Sequence, residues 1–303
     1  MDSDIDDLKT LFTAKPRPTS WAERRARMDE ICAIDPPPAD IVFTPFAIGG
    51  IPAEWSLAPE RDAARVLLYF HGGGYCAGSI GSHRAMVGGV GKLAGIRTLA
   101  IDYRLAPEHP YPAALEDALA AWRFLGEQGY TPQSIAIGGD SAGGNLTLAL
   151  LLRLQALGEP LPAAAWLVSP WLDLQMTGAT LDSKADIDPL ISRDYLTGLA
   201  TAFLAGHDPA DPAVSPLYAD FTGLPPVLIQ VGSSETLLDD AVRVAGALGA
   251  AEVHATLEIW PRMIHAWMLW SGRLADGQAA SARAGEWLCR ALRPKLSQQE
   301  RDG

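Results

Sequence analysis

Apolar positions along the chain change rhythm near residue 65. Before it they are sparse and spaced as on helices. Leu8, Leu11 and Phe12 share one face of a first segment, and Ser20 stands as an N-cap before WAERRARMDEICAI. Asp35-Pro36-Pro37-Pro38 ends that second helix, because proline has no amide to donate and holds the preceding residue extended. Residues 41–46 and 53–57 then read as two short strands around Gly49-Gly50, an antiparallel pair at a sheet edge.

From Arg65 onward, continuous apolar runs alternate with helical patterns. Val66-Leu67-Leu68-Tyr69-Phe70 is a strand buried on both faces. Further strands are predicted at 98–102, 135–137, 164–168, 227–231 and 256–259, with helices at 113–125, 238–248 and 279–292 and a long apolar helix running to Leu152. This alternation predicts an α/β fold, a mostly parallel sheet with helices on both faces and right-handed crossovers. Ligands then belong at the carboxyl ends of the strands. One stretch departs from the repeat, between Leu174 and Pro225, where Ser192 can cap a helix carrying Tyr195, Leu196, Leu199 and Phe203. Inserted between two core strands, it reads as a lid over the strand ends, against the plainer reading of a surface helix pair. The organisation expected is N-terminal cap helices over residues 1–40 and one catalytic α/β domain over 41–303, with a cap insertion at about 175–224.

The bulk properties narrow the function. The 303 residues are 48% apolar and 20% charged, which suits a globular enzyme with a large core. A net charge of −12 with no basic tract excludes nucleic acid as partner. No apolar run reaches membrane-spanning length, and the acidic start MDSDIDDLKT lacks the pattern of a secretory signal. Cys32, Cys76 and Cys289 are odd in number and widely spaced, so neither a disulfide framework nor a metal site is expected. This fits a reducing cytoplasm.

Chemistry enters with Gly139-Asp140-Ser141-Ala142-Gly143, a G-x-S-x-G between a predicted strand and a predicted helix. A sharp turn there presents the Ser141 hydroxyl at a helix N-terminus, whose amides favour developing negative charge. A glycine- and serine-rich connection with no chemistry is the bland alternative. Upstream, His71-Gly72-Gly73-Gly74 directly follows a core strand, and glycines there can turn their amides inward. Gly73 and Gly74, with Ala142 after the serine, are the expected oxyanion donors. A phosphate-binding reading of these glycines lacks the G-x-G-x-x-G pattern.

A serine hydroxyl needs a base. Candidates are His71, His83, His109, His207, His254 and His265. His265 alone follows the final strand, where a chain order of serine, acid and then base places it. His71 is expected to tie down the glycine loop. The acid should follow the strand at 227–231, where Glu235 comes first, with Asp239 and Asp240 deeper in the next helix. Glu235 leads and Asp239 is the runner-up, since a carboxylate in a first helical turn is already explained by the helix dipole.

These residues resemble the hormone-sensitive-lipase-like branch of the α/β-hydrolase family, a group of microbial carboxylesterases. The likeness extends from about Val66 to the last helix and includes Asp102-Tyr103-Arg104-Leu105-Ala106-Pro107-Glu108 and Ser169-Pro170-Trp171-Leu172-Asp173. It implies an α/β-hydrolase fold with an eight-stranded sheet and helical cap, no cofactor or metal, and short-to-medium-chain esters as substrates. Glu235 stands where most members carry Asp. The resemblance also implies that Asp102 and Arg104 anchor the loop beneath the site and that Asp140 is structural. Tyr75, Tyr195, Leu199, Phe203, Ile264 and Trp267 are candidates to line the substrate pocket, and a homodimer through the last strand or helix is the family's habit. The expected function is a cytoplasmic serine carboxylesterase acting on a small-molecule ester: Ser141 nucleophile, His265 base, Glu235 acid. The alternatives are a silent ligand receptor, as in the plant gibberellin receptors that resemble this family, or a lactonase or amidase.

Overall fold

Along the strand Asp62–Phe70, successive side chains enter two different cores. Val66, Leu68 and Phe70 join one apolar cluster while Leu67 and Tyr69 join another, all fully buried. A strand that is apolar on both faces is stable only in the interior of a sheet covered on both sides. The computed structural model describes residues 3–14 and 18–293.

In chain order the elements are α1 (Ser3–Thr13), α2 (Trp21–Cys32), β1 (Val42–Ile48), β2 (Ile51–Leu57), β3 (Asp62–Phe70), α3 (Ile80–Ala94), β4 (Ile96–Ile101), α4 (Ala113–Glu127), β5 (Ile135–Asp140) and α5 (Ala142–Leu157). They continue with β6 (Ala164–Val168), α6 (Thr180–Ser183), α7 (Arg193–Leu204), β7 (Val227–Gly232), α8 (Leu238–Ala250), β8 (Ala255–Trp260) and α9 (Ala275–Ala291). Among the described residues the sheet has eight strands in the order β1-β2-β4-β3-β5-β6-β7-β8. β2 pairs antiparallel with β1 and β4, and the remaining pairs are parallel. The expected α/β architecture with its antiparallel edge is therefore present.

One core lies between the sheet and α4, α5 and α8, and continues into α7. The other lies under α3 and α9 and takes in α1 and Cys32 at the end of α2. The N-terminal helices are fixed by specific contacts. Ser20 and Glu23 form a capping box at the start of α2, and Arg25 donates to the carbonyls of Cys76 and Ala106 and pairs with Glu108 at 2.6 Å. The segment between β6 and β7 carries α6 and α7 and packs into the first core through Leu181, Leu196, Leu199 and Phe203. Ser192 caps α7 by accepting from the Tyr195 amide, and buried Asp188 ties this segment to the β7 loop by accepting from the Thr236 amide at 2.8 Å.

Three details differ from the sequence reading. Leu11 is exposed, and the buried stripe of α1 is Ile5, Leu8 and Phe12. The helix α3 was not anticipated, because Gly81, Gly88, Gly89 and Gly91 lower its intrinsic propensity. Packing against β4 and α9 supplies what the local sequence lacks. Finally, β5 runs on through Gly138-Gly139 to Asp140, where the apolar run alone ended at Ile137. Residues 294–303 of the expected catalytic domain lie outside the described residues.

Truncating Leu68 to Ala should lower stability by about 2–5 kcal/mol, the usual range for a fully buried leucine. Val42→Thr, at a 61% exposed position, should stay within about 0.5 kcal/mol. Urea unfolding of the two variants checks the contrast.

Candidate active site

At the end of β5 the chain turns directly into α5, and the residue at the corner is Ser141. Its backbone, φ 53° and ψ −118°, lies in a region that non-glycine residues rarely adopt. Hydrogen bonds on both sides hold it there. The Ser141 amide donates to the Val168 carbonyl at 2.9 Å, and its carbonyl accepts from the Trp171 and Asn145 amides at 3.0 and 3.2 Å. The first turn of α5 lies so close to the end of β3 that a Cβ on Gly143 would collide with the Phe70 carbonyl. Gly139 faces the same crowding from the other side.

The loop after β3 approaches the same corner. Gly73 and Gly74 have φ of 112° and 64°, conformations that glycine adopts without penalty. Among the described residues, the amides of Gly73, Gly74 and Ala142 donate to no protein acceptor. His71 Nδ1 lies 2.8 Å from the Gly72 carbonyl, and its ring stacks on Tyr103 at 4.2 Å between centroids. Burial, helped by His83, pushes His71 down to about 3, so its ring is neutral. Asp140 joins elbow to loop. Its carboxylate accepts from the Tyr69 hydroxyl at 2.8 Å and the Gly72 amide at 3.0 Å, with His83 Nε2 at 3.2 Å. Burial works against its charge, yet His83 and Tyr69 outweigh it and hold the carboxyl below its ordinary range. Below the loop, Asp102 accepts from the Ile80 amide at 2.6 Å and Arg104 grips Asp117.

His265 stands on the loop after β8, with Nδ1 2.9 Å from Glu235 Oε2. Glu235 follows β7 and is fully buried. Its other oxygen accepts from the Gly232 amide at 2.5 Å and the Ser169 hydroxyl at 2.8 Å. Ser169 in turn accepts from the Ala266 amide at 3.0 Å, closing a ring of bonds around the pair. The other two carboxylates point elsewhere. Asp239 accepts from the Ala179 amide, and Asp240 accepts from the Leu172 and Asp173 amides. Burial disfavours the His265 imidazolium, but the hydrogen bond and charge of Glu235 outweigh it and raise the histidine above its ordinary 6.5.

Ser141, His265, Gly73 and Gly74 border one cavity of about 410 Å³. Its walls come from α2, through Arg24, Met28 and Ile31, from Leu269 and Trp270, and from Leu190, Leu196 and their neighbours between β6 and β7. Of the lining candidates, Tyr195 and Leu199 are on those walls and four are not. Tyr75 stacks flat on Phe203 at 3.7 Å and donates to Asn145 at 2.8 Å, which makes both part of the packing behind Leu199. Ile264 and Trp267 are fully buried in the α3–α9 core. Arg24 and Met28 also line the cavity, although nothing in the sequence pattern of α2 singles them out.

A family described by its alpha/beta hydrolase fold matches residues 67–269. A crystal structure of an esterase from the bacterial hormone-sensitive lipase family superimposes with a TM-score of 0.94 at 42% identity, covering 97% of this chain and 99% of the other. This chain belongs to the α/β-hydrolase family, in its hormone-sensitive-lipase-like branch. The hydrolase is also 45% identical over 252 residues to an acetyl-hydrolase from Streptomyces hygroscopicus, covering 83% of each chain. It is 34% identical over 264 residues to an esterase from Acinetobacter venetianus, covering 87% of each. No helix among its described residues is long and apolar enough to cross a membrane.

The His265 environment of this α/β-hydrolase gives a signed expectation. Glu235→Gln removes the charge that raises the imidazole and leaves burial, which lowers it. NMR titration of the His265 ring should therefore place its midpoint above pH 6.5 in the wild type and lower in the variant. An unchanged midpoint would contradict the pairing.

Proposed function

We propose that this α/β-hydrolase is a serine carboxylesterase that cleaves short-to-medium-chain esters through an acyl-enzyme. It is a carboxylic ester hydrolase by family, its relatives being named esterase and acetyl-hydrolase. The observation that carries the finer reading is the meeting of Ser141, the His265–Glu235 pair and the loop glycines at one cavity.

With Nδ1 engaged by Glu235, the Nε2 of His265 is the nitrogen left to take the Ser141 proton as Oγ attacks the ester carbonyl. Glu235 fixes that tautomer and stabilises the imidazolium formed. The carbonyl oxygen becomes an oxyanion, and the amides of Gly73, Gly74 and Ala142 are donors with no protein partner among the described residues. Each such donor is worth on the order of 10²–10³ in rate. His265 then returns the proton to the leaving alcohol, and water repeats the sequence on the acyl-enzyme. A cavity of about 410 Å³ under an apolar lid suits small acyl groups. The His265–Glu235 pair favours turnover over silent ligand binding, and esters over amides as the less demanding leaving group.

The buried, free Cys32 and Cys76 accord with a reducing cytoplasm. β8 leaves one side of the sheet open, with Ile259 at 47% exposure, which is the surface through which a homodimer would form.

Hydrolysis of p-nitrophenyl esters from acetate to palmitate should peak at short chains. Ser141→Ala should lower kcat by roughly 10⁴–10⁶-fold. A rate rising steadily onto long-chain emulsions contradicts the small pocket, and full activity in Ser141→Ala contradicts the nucleophile.

A further inference from the structure

The ester chemistry leaves one charged wall of the cavity unused. Arg24 lies on α2, whose neighbouring charges are all committed. Glu23 accepts from the Thr19 and Ser20 amides at the helix start, and Arg25 is paired with Glu108. Arg27 also borders the cavity but pairs with Glu30 at 3.0 Å. Arg24 differs. Among the described residues its guanidinium has no ion pair and no hydrogen bond, and its Nη1 is buried without a partner. The guanidinium carbon sits 5.0 Å from the Trp21 ring centroid and 5.1 Å from that of Tyr195.

These facts fit a binding group better than a packing one. Two aromatic rings attract the cation through their faces, but they satisfy none of its N–H donors. A buried donor left unmade is costly, and native proteins rarely tolerate one without a use for it. The planar fork of an arginine matches a carboxylate, and an ionised partner makes that bond roughly twice as strong as a neutral one. Among the described residues, the one carboxylate bordering the cavity, Asp140, is already engaged by Tyr69, Gly72 and His83. In a chain of net charge −12, Arg24 supplies a local attraction for anions that the molecule as a whole does not.

We propose that Arg24 determines specificity by binding a carboxylate carried on the ester, so that preferred substrates are half-esters of dicarboxylic acids. The proposal rests on the reading that the ester carbonyl sits at Ser141. The span from Ser141 to Arg24 then selects the length of the diacid.

The test compares mono-p-nitrophenyl succinate, glutarate and adipate with neutral p-nitrophenyl esters of equal length. At least one half-ester should exceed its neutral counterpart in kcat/KM by about tenfold, the effect of one charge-assisted contact. The advantage should reside in KM and shrink as salt is raised. Arg24→Met, which keeps the apolar stem against Trp21, should erase the ratio, and Arg24→Lys should retain part of it. Calorimetry on Ser141→Ala protein gives a readout independent of turnover: monomethyl glutarate should bind about tenfold more weakly once Arg24→Met is added. If neutral esters are hydrolysed but the ratio is near one, or is indifferent to Arg24→Met and to salt, Arg24 only packs and the proposal falls while the esterase stands. If calorimetry shows Arg24-dependent binding and neither ester turns over, the anion site stands and the esterase reading falls. Should Arg24→Met not fold, Arg24→Lys and the salt dependence of the wild-type ratio decide.

Discussion

The site depends on how closely α5 approaches the ends of β3 and β5. At Gly143 the helix backbone meets the carbonyl of Phe70, and no side chain fits between them. That approach allows the chain to turn within a single residue and leaves Ser141 at φ 53°. The backbone strain is of order 1–3 kcal/mol for a residue held in such a region. It persists because Val168, Trp171 and Asn145 fix the Ser141 amide and carbonyl from three directions. Relaxing the contact would move the serine, the Ala142 amide and the start of α5 together.

The same corner organises its surroundings through Asp140. One carboxylate, next to Ser141 in the chain, accepts from the Gly72 amide and so sets the loop that carries Gly73 and Gly74. Across the sheet, Ser169 binds both Glu235 and the Ala266 amide, so the Glu235 loop after β7 and the His265 loop after β8 are positioned by the strand between them and the elbow. The segment between β6 and β7 joins this network through Asp188 and Thr236, next to Glu235. Groups from six segments of the chain thus converge without any of them being set by its local sequence alone.

The eight strands and the serine corner were legible in the sequence because both leave unambiguous marks. Interior strands must be continuously apolar, and the elbow must be flanked by glycine. The pairing of His265 with Glu235 rather than Asp239 was legible in part, from the place of Glu235 just after β7, while the bonds from Gly232 and Ser169 that hold Glu235 appear only in three dimensions. Helix α3 was not legible, since its glycines serve packing and weaken the local signal. The pocket walls were the least legible. Tyr75 and Phe203 are large and near the site in sequence terms, yet each is the other's packing partner. Arg24 sits among the charges of α2, and only its lack of partners among the described residues distinguishes it from them.

The central claim is that Ser141 carries the acyl group during turnover. The most direct measurement is mass spectrometry of the protein mixed with p-nitrophenyl acetate, quenched in acid and digested. One acetyl group on the peptide containing Ser141, absent from Ser141→Ala protein, is the result this structure predicts. Hydrolysis with no acylated Ser141 peptide, or with the acetyl group on another residue such as Cys76, would contradict it.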